Sequence, residues 1–98
     1  MFTDTMTSDN AGSPEPITAP SSVNDPSGRY RRVNIREQGG AATAGFRIRV
    51  PHSDSSYVEY QAGEAAKVES PSGPIQPGVT IGYIETLSGT LTFSRLWE

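Results

Sequence analysis

From residue 29 onward, apolar and polar side chains alternate in short runs, the period-two signature of strands with one buried face. In "RRVNIR", Val33 and Ile35 face one way and Arg32, Asn34 and Arg36 the other. In "FRIRV", Phe46, Ile48 and Val50 point inward and Arg47 and Arg49 outward, and Pro51 ends the strand because it cannot donate to a ladder. "YVEYQ" sets Val58 and Tyr60 against Tyr57, Glu59 and Gln61. "EAAKVE" is short; its alanine pair allows a helical turn, but its neighbours favour a strand. "VTIGYIE" places Val79, Ile81 and Tyr83 on one face, with Gly82 leaving space on the other. "TLTFSRLW" groups Leu91, Phe93 and Trp97, a face that Arg95 interrupts, while Leu96 points the opposite way. "EQGGAATAG", "HSDSS", "SPSGPIQPG" and "LSG" read as connections and turns. The expected fold is all-β: six strands forming a small antiparallel β-barrel or sandwich. Its core is drawn from Val33, Ile35, Phe46, Ile48, Val50, Val58, Tyr60, Val68, Ile75, Val79, Ile81, Ile84, Leu91, Phe93 and Trp97.

Residues 1–28 break the pattern. Four of the eight prolines fall here among Ser, Thr, Asn and Gly, and neither helical nor alternating periodicity runs through the segment. It reads as a long extended N-terminal arm, acidic and rich in Pro, Ser and Thr, ahead of a small β-domain at 29–98. Its sparse apolar residues, Phe2, Met6, Ile17 and Val23, are spaced like anchors for separate pockets.

Composition adds a constraint on size. Hydrophobic residues are 34 % of the chain, with ten glycines and eight prolines. Domains below about 70–80 residues commonly need disulfides, a metal or oligomerisation. With no cysteine and one histidine, the first two supports have no residues to build them. Assembly, as a homo-oligomer or on a partner protein, is the expected stabiliser. Alternation places Trp97 with Leu91 and Phe93 in the body's own core, while the interruption at Arg95 and the outward Leu96 set the last three residues at the body's rim, where Leu96 or Trp97 is expected to meet a neighbouring subunit.

Charge sharpens that expectation. Residues 1–28 carry four acids and no base; residues 29–49 carry six arginines against one acid; residues 50–98 carry six acids against two bases. Segregated charge suits complementarity between molecules. Arg29, Arg31, Arg32, Arg36, Arg47 and Arg49 can pair bidentately with carboxylates. The candidate partner-binding set takes Arg29, Arg31, Arg32, Arg47 and Arg49 from this cluster, with Tyr30. A weaker reading has the arginines track phosphates while Tyr30 stacks on a base; overall acidity and the lack of an RNP-like aromatic pattern count against it.

Catalytic chemistry finds little footing. His52, Asp54 and the nearby serines are crowded into one turn, whereas triads draw on separate elements, and no G-x-S-x-G elbow occurs. Nothing marks two of Glu59, Glu64, Glu69 and Glu85 as a pair with split environments. The chain is expected to be non-enzymatic, with no catalytic residue, metal or cofactor. No apolar run nears the roughly 20 residues of a membrane helix, and the first residues do not read as a signal peptide.

Two resemblances bear on function. "PGVTIGYIETLSGTLTFSRL" resembles the swinging-arm hairpin of lipoyl and biotinyl carrier domains, but Ser88 stands where the modified lysine belongs, so the likeness implies a hairpin and no carrier activity. A cysteine-free β-domain behind the arm "AGSPEPITAPSSV", with the strand "TLTF" near the end, resembles in layout the capsid decoration, or cement, proteins of tailed bacteriophages. That resemblance implies a structural virion protein whose arm orders on a shell and whose body oligomerises, commonly as a trimer. The alternatives are an adaptor, a tail or baseplate component, or a small nucleic-acid-binding barrel. Location follows: the virion if viral, otherwise the cytoplasm.

Overall fold

The structure, a computed structural model, describes residues 2–8, 14–20, 30–38, 45–50, 54–70 and 73–98, the side chains of 54–56 excepted. Val23, Arg29 and His52 therefore lie outside the described residues. Eight strands and no helix occur among them: β1 (Phe2–Ser8), β2 (Glu15–Thr18), β3 (Arg32–Glu37), β4 (Phe46–Val50), β5 (Asp54–Tyr60), β6 (Ala65–Glu69), β7 (Thr80–Thr86) and β8 (Leu91–Trp97). They form two four-stranded sheets, β1-β8-β3-β6 and β2-β7-β4-β5, with every pairing antiparallel.

The pairings are nested. β4 pairs with β5, β3 with β6, β2 with β7 and β1 with β8, so the chain is one long hairpin whose successive rungs alternate between the sheets. The contacts β3–β8 and β4–β7 then complete the two sheets. Eight strands so wound over two sheets make a jelly roll. The all-β reading holds, as a sandwich rather than a closed barrel. Two strands more than expected come from residues 1–28, where β1 and β2 each add an edge to a sheet.

The core lies between the sheets. Ile17, Val33, Ile35, Ile84, Phe93 and Trp97 have no exposed surface. Phe46 of the second sheet meets the Phe93 ring of the first edge-on at 5.0 Å and stacks on Tyr60 at 5.2 Å. Tyr30 packs on Trp97 at 5.8 Å, drawn in by an isolated bridge in which the Ile75 amide donates to the Tyr30 carbonyl at 2.6 Å. Among the described residues fifteen apolar side chains are buried, three of them, Ile17, Ala19 and Tyr30, from the first thirty positions. Val58 and Val79, both expected in the core, are 57 % and 45 % exposed. Val58 belongs to β5, the edge strand of its sheet, and Val79 precedes β7.

Gly82 is required by packing. A Cβ there would stand 2.9 Å from the Arg49 carbonyl oxygen and 3.6 Å from Ile17 Cδ1, so β2 and β4 close over it. The expected β7–β8 hairpin does not form: residues 87–90 carry the chain from the second sheet to the first. The carrier-domain likeness ends there. Near that crossing the Thr86 hydroxyl donates to the Gly89 carbonyl at 2.6 Å, and Gly89 takes a φ of 68°, a region that suits glycine.

Arg95 does point inward, and it is satisfied. Its guanidinium makes a two-pronged pair with Asp4, its Nε donating to Oδ1 at 2.8 Å and its Nη2 to Oδ2. Nη1 donates to the Thr18 carbonyl at 3.2 Å, and Trp97 Nε1 donates to Asp4 Oδ1 at 3.1 Å. The guanidinium carbon also lies 5.1 Å from the centre of the Trp97 ring. One cluster thus links β1, β8 and the end of β2. Trp97 is buried in the chain's own core, as its grouping with Leu91 and Phe93 predicts, because β8 is a central strand flanked by β1 and β3; its side chain has no surface left at the rim to offer a neighbour.

Candidate functional site

Alternation fixes what each sheet shows to solvent, and topology decides which residues share a face. β3 and β4 follow one another in sequence but belong to different sheets. Arg32 and Arg36 therefore lie on the outer surface of the first sheet and Arg47 and Arg49 on that of the second. The contiguous arginine cluster is divided between opposite faces, with the core between them. Arg31 is exposed at the bend before β3. Tyr30 is 2 % exposed and belongs to the core, so it is not placed to stack on a base.

On the first sheet Arg32 is absorbed locally. Arg32 pairs with Glu98 at 3.5 Å and Glu69 at 4.0 Å, and Asn34 donates to Glu98 at 3.3 Å. Leu96, half-buried on that face, joins Thr3, Asn34, Arg36 and Ser94 around a shallow depression of about 370 Å³. Of the expected arm anchors, Phe2 and Met6 are half-buried against the core from β1, and Ile17 is fully buried from β2. All three are used within the chain.

The second sheet brings together a different set. Register sets Tyr57 of β5 opposite Arg49 of β4, and Arg49 opposite Tyr83 of β7. In the adjacent row Glu59, Arg47 and Glu85 align in the same way. The Arg47 guanidinium carbon lies 4.3 Å from the Tyr57 ring centre; that of Arg49 lies 5.9 Å from Tyr57 and 5.0 Å from Tyr83. The result is a diagonal ladder, Arg47–Tyr57–Arg49–Tyr83, across three strands.

The two cations differ. Arg47 donates to Glu85 at 2.6 Å, and the Glu85 carboxylate is nearly buried. Arg49 has no carboxylate within ion-pair reach among the described residues, while the Nε of both arginines is buried without a hydrogen-bond partner. Each contact with a ring contributes about 0.5–1 kcal/mol at a partly exposed site, enough to hold the guanidinium without neutralising it. A planar cation held by phenol rings suits a planar anion, bound through two parallel N–H donors. Tyr57 and Tyr83 were not among the sequence candidates. Alternation in "YVEY" and "GYIE" gives each an outward or inward side, but no local signal tells that β4 lies between them.

Comparison with protein-family models, with curated proteins and with solved structures gives no match. No helix among the described residues is long and apolar enough to cross a membrane.

Proposed function

We propose that the chain is a non-enzymatic structural assembly protein, a decoration or cement subunit of a viral shell, which docks through the outer face of the second sheet. The observation that carries this reading is Arg49, a cation held by two tyrosine rings on the flat face of a rigid sandwich. A site on strands keeps its geometry better than one on loops, and among the described residues no carboxylate lies within ion-pair reach of this guanidinium, which supports its taking one from a partner. The jelly-roll winding is one that capsid proteins use, a likeness of fold and not of function. The apolar anchors Phe2, Met6 and Ile17 are spent within the chain, so docking on a shell is assigned to the sandwich face in place of the arm.

A second reading keeps the same ladder and changes the ligand. Bases stacked on Tyr57 and Tyr83, with a phosphate on Arg49, would make a nucleic-acid-binding module. The division of the arginines between opposite faces disfavours it, since a strand of nucleic acid needs a continuous basic track.

The test is sedimentation of the chain from cells that produce it naturally, wild type beside Arg49→Glu. The wild type is expected in a fast-moving particle fraction and Arg49→Glu as free protein with an unchanged melting temperature. A wild type that runs as free protein overturns the shell reading. Titration with oligothymidylate at two salt concentrations separates the alternative: steeply salt-dependent binding, lost in Tyr83→Ala, identifies the nucleic-acid module.

A further inference from the structure

Two sheets of four strands leave four edges, belonging to β1, β6, β2 and β5. An edge strand offers unpaired N–H and C=O groups to any passing strand, and proteins blunt such edges with prolines, bulges, charges or short length. Three of the four are blunted here. β2 has four residues, one of them Pro16, and its register shifts between Ile17 and Thr18. β5 carries Glu59 outward, and the β4–β5 register shifts at Arg49/Val50. β6 has five residues and exposes Lys67 and Glu69.

β1 has none of these features. It runs for seven residues in unbroken register with β8, without proline. Its exposed side chains are Thr3, Thr5 and Thr7, uncharged and well suited to strands. The one charge it carries, Asp4, is turned inward and claimed by Arg95 and Trp97. Among the described residues, no strand pairs with its outer edge.

We infer that β1 is an assembly edge and that its occupant is β1 of a second copy, joined antiparallel about a two-fold axis at Thr5. Self-complementarity selects that occupant. With Thr5 on the axis, Thr3 of one copy lies opposite Thr7 of the other, so the outer face becomes a row of threonine pairs, a favourable cross-strand combination. Asp4 falls opposite Met6 and never opposite another Asp4, so no like charges face each other. The contact is isologous and closes at two subunits. It joins two four-stranded sheets into one of eight and removes the exposed edge. A two-fold dimer also differs from the trimer that the layout resemblance implies. The inference goes beyond the shell reading and is tested on the purified chain alone.

The chain contains no cysteine, so single cysteines report the register without background. Opposite Cα atoms of an antiparallel pair lie about 4.5 or 5.5 Å apart, inside the disulfide range of about 4.4–6.8 Å. Two copies of Thr3 would be about 13 Å apart along the strands. Under mild oxidation Thr5→Cys is expected to give a covalent dimer. Thr3→Cys and Thr7→Cys are each expected to stay uncrosslinked alone and to crosslink when mixed. By light scattering the wild type is expected at twice the chain mass. Thr5→Lys, which sets two ammonium groups face to face at an exposed position, is expected to be monomeric with an unchanged melting temperature. A monomeric wild type, a dimeric Thr5→Lys, or crosslinking that ignores position overturns the inference.

Discussion

Replacing Asp4 by alanine tests the cluster that fastens the first strand to the last. The carboxylate takes two bonds from Arg95 and one from the Trp97 indole. Without it, a guanidinium side chain only 10 % exposed loses its counter-ion. Removing one partner of a buried ion pair costs about 3–5 kcal/mol. The Asp4 side chain is 23 % exposed, so water recovers part of that, leaving a loss of roughly 2–3 kcal/mol. For a domain of this size that lowers Tm by roughly 10–20 °C. Trp97 is the chain's one tryptophan and is fully buried, so its emission reports unfolding in urea directly. Replacing both charges, Asp4→Leu with Arg95→Met, is expected to restore most of the stability, because apolar residues of similar volume often match a buried pair. The coupling across the double-mutant cycle should be about 2 kcal/mol. A coupling below about 0.5 kcal/mol, or an Asp4→Ala variant as stable as the wild type, would refute the view that this pair anchors β1.

Three further predictions follow from packing. Trp97→Ala is expected to cost about 3–5 kcal/mol through the cavity it leaves, measured by urea titration with circular dichroism; Trp97→Phe should cost less and mainly through the lost indole bond. Gly82→Ala is expected to destabilise by about 1–3 kcal/mol, since its Cβ meets the Arg49 carbonyl and cannot be relieved by a side-chain rotation; calorimetry would show a lowered Tm, and an unchanged one would contradict the close approach of β4. Val58→Thr and Val79→Thr are expected to stay within about 0.5 kcal/mol of the wild type, whereas Ile35→Thr, at a fully buried position, should lose several times that.

The β-character of residues 29–98 was legible because β3, β4 and β8 alternate cleanly between faces. β1 was not, and the reason lies in its inward positions. Phe2, Asp4, Met6 and Ser8 point toward the core, but half of them are polar, so the strand has no apolar stripe. Asp4 looked like arm acidity and Arg95 like a flaw in an apolar face; each makes sense only beside the other, ninety-one positions away. The arginine cluster was misread for the opposite reason. Neighbours in sequence looked like one patch until the crossing from β3 to β4 put them back to back. The ladder on the second sheet needed strand order, which alternation does not carry.

The pairing of β1 with β8 also governs how fast the chain can reach its fold. Phe2 lies opposite Trp97, and no contact within the chain could close a much longer loop. Folding slows as contacts become more distant in sequence, so this rung is expected to be among the last to form. The same antiparallel register brings the end of β8 beside the start of β1. A short turn joining the end of β8 to the start of β1, with new ends opened at exposed Ser88, would convert the most distant pair into a local hairpin. A permutant so built should keep the native sheets and refold faster than the natural order of strands allows.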